Sequence, residues 1–177
     1  MSYLFDLGLI AMSAKPYHIG HNFLIKQASN MCLHVNVYVS TSDRKRNGEF
    51  FISGKAMEKI WKSYLIPNMP ENVNIYLSKT SPIKDLYSFI SKNKDVNIGL
   101  FSDTKDKIKC DLENVENILY ERNKESPNIS GKTMRDFLKN CDLNSFKNFL
   151  PSFIKDEEKI EIYNILKPKP VGFIQIF

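Results

Sequence analysis

Two of the three histidines in this 177-residue chain stand three positions apart, in Lys15-Pro16-Tyr17-His18-Ile19-Gly20-His21. At that spacing two side chains project from one side of a single helical turn. Gly20 between them allows backbone and a neighbouring helix to approach a ligand closely. Two imidazoles aimed at one phosphate suit phosphoryl transfer, where positioning and charge stabilisation supply most of the rate. They can donate hydrogen bonds to an α-phosphate as negative charge builds on it. A helix opening at the same place adds backbone N–H groups and its positive end. The plain alternatives are helix histidines that only pack or cap, and a zinc pair, for which no further ligands follow at a suitable spacing.

The elements around this segment read as alternating strand and helix. Leu4–Met12 is an apolar run suited to a buried strand, Ile19–Leu33 a helix, and His34–Thr41 a second strand. A polar loop, Ser42–Phe51, leads to a helix over Ser53–Leu65, with Met57, Ile60, Trp61 and Tyr64 on one face. Val73–Ser78 is a third strand, and Pro82–Lys92 a helix opened by Ser81 as N-cap. Val96–Ser102 and Val115–Glu121 complete the strands, and helices follow near Ser130–Asn140, Asn144–Leu150 and Asp156–Leu166.

Repeated strand–helix–strand units imply an α/β fold, a Rossmann-like five-stranded parallel sheet with helices on both faces and a helical C-terminal extension. The expected division is a domain over 1–140 and an extension over 141–177. In such a sheet ligands bind beyond the carboxyl ends of the strands, where the histidine segment lies. Arg44-Lys45-Arg46, after the second strand, falls on the same edge. Arg44 and Arg46 there either capture an acceptor's phosphate or belong to a solvated basic loop.

Bulk properties agree. The charge of +5 comes mostly from lysine, with Arg44, Arg46, Arg122 and Arg135 the only arginines. That suits anionic small molecules as well as a solvated surface, and predicts no specific nucleic-acid partner. Cys32, Cys110 and Cys141 are odd in number and form no C-x-x-C pair, which argues against disulfides and for a reducing, cytoplasmic setting. The apolar start is too short to span a membrane, so no membrane partner is expected.

The histidine segment resembles the H-x-G-H signature of the HIGH-motif nucleotidylyltransferase superfamily. Its members include cytidylyltransferases, nicotinamide mononucleotide adenylyltransferases and pantetheine-phosphate adenylyltransferases. A second family signature, Ile-Ser-x-x-x-x-Arg, is matched by Ile129-Ser130-Gly131-Lys132-Thr133-Met134-Arg135. Leu100-Phe101-Ser102-Asp103-Thr104-Lys105-Asp106 looks like the loop after strand four that lines the nucleotide pocket. The Ser81-Pro82 helix start and the helical tail look most like small phage-encoded members.

The resemblance implies transfer of a nucleoside monophosphate, AMP favoured over CMP, from an NTP to a phosphorylated small molecule, with release of pyrophosphate. It implies catalytic roles for His18, His21, Lys15 and Arg135. Nucleotide and phosphates would be held by Ser13, Gly20, Ser102, Asp103, Ile129, Ser130, Gly131, Lys132 and Thr133. Ser130 makes a good N-cap, leaving the amides of Gly131 to Thr133 free for β- and γ-phosphates. Mg2+ would be bound mainly through the NTP phosphates, with no protein side chain assigned to it. A homo-oligomer is compatible with this reading. The alternative function is a nucleotide-binding accessory module without turnover, against which the intact His18/His21 pair and Arg135 argue.

Overall fold

A computed structural model of the chain describes residues 2–106 and 108–168. The apolar runs become five strands: β1 (Phe5–Met12), β2 (Cys32–Ser40), β3 (Val73–Ser78), β4 (Ile98–Asp103) and β5 (Val115–Tyr120). All neighbouring pairs are parallel, in the order β3-β2-β1-β4-β5. The chain steps outward from β1 to β3, then returns to lay β4 on the other side of β1. The carboxyl ends of β1 and β4 therefore flank the reversal, where open α/β sheets leave a crevice. The expected Rossmann-like parallel sheet is the observed one.

Among the described residues six α-helices accompany it: α1 (Ile19–Met31), α2 (Gly54–Ile60), α3 (Pro82–Lys92), α4 (Gly131–Lys139), α5 (Leu143–Asn148) and α6 (Asp156–Leu166). Alternate side chains of a strand point to opposite faces. Ile10 and Met12 of β1 join a large buried cluster with Ile25 and Ala28 of α1, Met57 of α2 and Met134 of α4. Leu7, Leu9 and Ala11 join a smaller one with Leu86 and Ile90 of α3. The faces are unequally covered, since α3 is the only helix, among the described residues, in the smaller cluster.

Phe146 of α5 and Ile162 and Leu166 of α6 belong to the large cluster. A fully buried phenylalanine such as Phe146 contributes roughly 1.5–3 kcal/mol. No helix among the described residues is long and apolar enough to cross a membrane. All three cysteines are unpaired.

Two element boundaries differ from expectation for identifiable reasons. The first helix stops at Met31, and Cys32 already has extended backbone (φ −123°, ψ 146°). Asn72 Nδ2 takes up the Ser29 and Cys32 carbonyls at the helix end, so helix passes into strand without a loop. The second helix is α-helical only to Ile60. Trp61–Leu65 then widens into a π turn and Ile66–Asn68 tightens into a 3-10 turn around Pro67, which has no N–H to donate. The widened turn buries both Trp61 and Leu65.

The start of α2 is pressed against the end of β2, and Gly54 makes this possible. A Cβ on Gly54 would lie 1.7 Å from the Thr41 carbonyl oxygen, an atom of fixed backbone. Gly54→Ala is therefore expected to cost about 3 kcal/mol or more, read as a lower urea midpoint. An unchanged midpoint would show that the two elements are not held in this contact.

Candidate active site

Beyond β1 the chain turns through Ala14, which has left-handed backbone (φ 47°), and a cis Lys15–Pro16 bond, and delivers His18 to the N-cap of α1. There the Gly20 amide donates to His18 Nδ1 at 3.0 Å. Reciprocally, the His18 amide donates to His21 Nδ1 at 3.2 Å. Two amides that a helix start leaves without partners are thus satisfied by imidazoles, in the geometry of a capping box. A neutral imidazole that accepts at Nδ1 carries its proton on Nε2. Neither Nε2 has a hydrogen-bond partner among the described residues, and neither is sealed from solvent.

The two rings stack with centroids 3.8 Å apart. Tyr17 stacks on His21 at 5.6 Å and meets Trp61 edge-on at 5.0 Å, so the π turn supports the pair through an aromatic chain. Gly20 has a specific use. A Cβ there would lie 2.9 Å from His18 Cε1, so what fills the space beside this glycine is the capping ring itself. Burial, followed by the neighbouring His21 and by Arg122 and Arg135, pushes His18 far below the ordinary imidazole range. Burial, with Arg122 adding to it, brings His21 down to about 3. Both rings are therefore uncharged donors near neutral pH.

They line a cavity of about 460 Å³ at the switch point. The β1–α1 turn lines it with Ser13, Lys15, His18, Gly20 and His21, and the adjoining start of α4 with Ile129, Ser130, Gly131, Lys132 and Arg135. Ser130 caps α4, its Oγ accepting from the Thr133 amide at 3.1 Å. The amides of Gly131 and Lys132 precede the first helical acceptor and stay available. Asp103, at the end of β4, also reaches the cavity and pairs with Arg122 at 3.3 Å.

A second cavity of about 350 Å³ adjoins the first, sharing Ser13, Lys15, Arg46 and Arg135 and adding Arg44 and Lys79. Lys15 Nζ donates to the Ser42 carbonyl on this side. Burial, only partly offset by Asp43, lowers the Lys15 pKa.

Two residues expected at the site line neither cavity. Ser102 is buried, with its hydroxyl donating to the Ile108 carbonyl at 3.2 Å, so it braces the loop after β4. The Thr133 hydroxyl is taken by Ser130 at 2.9 Å. Lys132 is at the cavity, but its ammonium bonds Asp136 at 3.0 Å on the outer face of α4. His34 lies exposed near the opposite end of β2.

Sequence reasoning overlooked Arg122 and Glu49. Arg122 follows β5, and its partner Asp103 ends β4, so only knowledge that these strands are neighbours would have joined them. Glu49 pairs with Arg135 at 3.0 Å although the two are far apart in sequence. Among the described residues no three His, Cys, Asp or Glu side chains gather to hold a metal ion. Asp103 and Glu49 are moreover engaged by arginines. This donor set fits a cation carried in on phosphate oxygens better than one held by the protein.

A family model for the citrate lyase ligase C-terminal domain matches residues 7–53, the span from β1 to the loop before α2. No curated protein matches the sequence. Among solved structures, the nicotinic acid mononucleotide adenylyltransferase of Plasmodium falciparum, complexed with NaAD, is similar with a TM-score of 0.54 and 18% identity, over 89% of this chain and 95% of that one. The fold of this chain is the one that structure has. A second structure in this fold is a bifunctional NMN adenylyltransferase/ADP ribose pyrophosphatase from Francisella tularensis, complexed with AMP and an Mn ion. It has a TM-score of 0.54 and 15% identity over 77% of this chain, and this chain spans 42% of its length.

Two uncharged histidines at the start of α1 carry a consequence for stability. An unfolded imidazole titrates near 6.5, whereas both rings here titrate well below that. The unfolded chain therefore binds more protons than the folded one between about 6.5 and 3, and stability falls as pH drops through that window. The loss is at most about 1.4 kcal/mol per pH unit for each ring. Melting temperature should decline steeply from pH 7 to 5. In His21→Gln, which keeps a neutral cap, the decline should be about half as steep. An equally steep decline in that variant would mean that the rings are not its source.

Proposed function

We propose that this protein is an enzyme, a nucleotidylyltransferase that moves a nucleoside monophosphate from an NTP to a phosphorylated small-molecule acceptor and releases pyrophosphate. The observation that carries this reading is the His18/His21 pair: two neutral rings, each anchored at Nδ1 by backbone, line one cavity together with a capped helix start, leaving their Nε2–H groups available to a ligand. AMP is favoured over CMP as the transferred group. The Ile129-Ser130-Gly131 form of the second signature and the fold shared with adenylyltransferases support that preference.

In this mechanism the acceptor's phosphate oxygen attacks the α-phosphorus in line with the departing pyrophosphate. The bond to the bridging oxygen breaks as the new one forms, so no covalent enzyme intermediate is required. His18 and His21 donate from Nε2 to the non-bridging α-oxygens, where negative charge grows. Being uncharged and already fixed, they need no reorganisation at that moment. The Gly131 and Lys132 amides, with Arg135 beside them, receive the β- and γ-phosphates. Lys15 lies between the two cavities, and Arg44 and Arg46 receive the acceptor's phosphate in the second. Mg2+, bound mainly through the NTP phosphates, would neutralise charge on the leaving group. The same reading takes the protein to be cytoplasmic.

The test is pyrophosphate release from ATP and from CTP with magnesium, across a panel of phosphorylated acceptors that includes nicotinamide mononucleotide. His18→Asn is the informative variant, because asparagine still caps a helix but lacks the Nε2 donor. It should fold with a melting temperature near that of the parent and lose roughly 10²–10³ in kcat. Chelation of the divalent cation should abolish release. Nucleotide binding with no release from any acceptor would favour the accessory-module alternative. Absence of nucleotide binding would overturn the reading.

A further inference from the structure

Arg135 stands in the structure with its terminal nitrogens already engaged. Nη1 donates to the Lys15 carbonyl at 2.8 Å, and Nη2 pairs with Glu49 Oε2 at 3.0 Å. Its Nε is buried without a partner among the described residues. The guanidinium lies against the first residue of α4, since a Cβ on Gly131 would come within 2.9 Å of Nη1. The pair is largely withdrawn from solvent, with side-chain exposures of 14% and 21%. A guanidinium so placed requires a counter-charge, and here the protein supplies it.

We propose that Glu49 is an internal stand-in for phosphate, a carboxylate that holds Arg135 between turnovers and exchanges with the pyrophosphate portion of the nucleotide. The proposal rests on the reading that the start of α4 receives phosphates. An anion seated on the Gly131 and Lys132 amides competes with Glu49 for the same guanidinium. Pyrophosphate offers the guanidinium a bidentate face as the carboxylate does and carries more negative charge, so it can displace Glu49.

Glu49 lines both cavities, so its carboxylate sits at their junction. Its loop keeps other anchors that do not involve Arg135. Lys139 Nζ donates to the Gly48 carbonyl at 3.1 Å, and the Gly54 amide donates to Asp43 Oδ1 at 2.8 Å. Glu49 can therefore leave and regain Arg135 while its loop stays tethered. Its return opposes retention of pyrophosphate and assists product release, a step that limits the turnover of many enzymes.

Calorimetric titration of the full chain with inorganic pyrophosphate and magnesium tests the exchange. Glu49→Gln should bind pyrophosphate roughly threefold to tenfold more tightly than the parent. Glu49→Ala should shift affinity in the same direction, which guards against a folding artefact in either variant. Arg135→Gln should weaken binding, and the gain from Glu49→Gln should vanish in the double variant. Affinity that does not rise in either Glu49 variant, while Arg135→Gln still weakens binding, would overturn the exchange and leave the phosphate role of Arg135 intact. Binding indifferent to Arg135→Gln would overturn both.

Discussion

The reciprocal hydrogen bonds between His18, His21 and the first turn of α1 are the constraint on which the site depends. They do three things together. They end the turn after β1, they fix which ring nitrogen carries the proton, and they set two rings face to face beside the cavity. Each effect needs the other residues of the motif. The His18 ring occupies the volume that any side chain at position 20 would take, and Tyr17 couples His21 to Trp61 in the core. Under the proposed function, capping and phosphate recognition are one arrangement: the bonds that stabilise the helix start also orient the donors.

Distant parts of the chain converge on that turn. The Ile19 amide, another unpartnered donor of the first turn, bonds the Phe149 carbonyl beyond α5 at 2.9 Å. The Lys15 carbonyl receives Arg135 from α4. Ile129 lies within 3.4 Å of the space above Gly20. The sheet order makes these meetings possible, since β4 beside β1 brings the segments after β4 and β5 to the mouth of the β1–α1 turn. Separations of more than a hundred residues are closed by the position of one strand.

Much of this was legible in the sequence because it depends on local pattern. Apolar runs of strand length, serine before a helix at positions 81 and 130, and a glycine between histidines all signal backbone structure through nearest neighbours. Ser81 and Ser130 are N-caps as their sequence suggests. What could not be read depends on pairings between remote positions. The Asp103–Arg122 and Glu49–Arg135 ion pairs carry no periodic signature, and the exclusion of Ser102 from the cavity follows from a bond to Ile108 across a loop. The π turn at Trp61–Leu65 escaped because one extra residue in a turn leaves an apolar stripe almost unchanged. Capping by His18 is a consequence of the turn before it, and the geometry makes it the means by which the ring is positioned.

The absence of charge on the two histidines separates attraction from chemistry. Under the proposed function, an approaching nucleotide is drawn in by Lys15, Arg44, Arg46 and Arg135, whose long-range fields are screened over about 8 Å at physiological ionic strength. The Nε2–H groups act only at contact and as dipoles, which dissolved ions screen far less. Salt therefore weakens capture of the substrate while leaving the bond-making step nearly untouched, and ionic strength acts on KM where the imidazoles act on kcat.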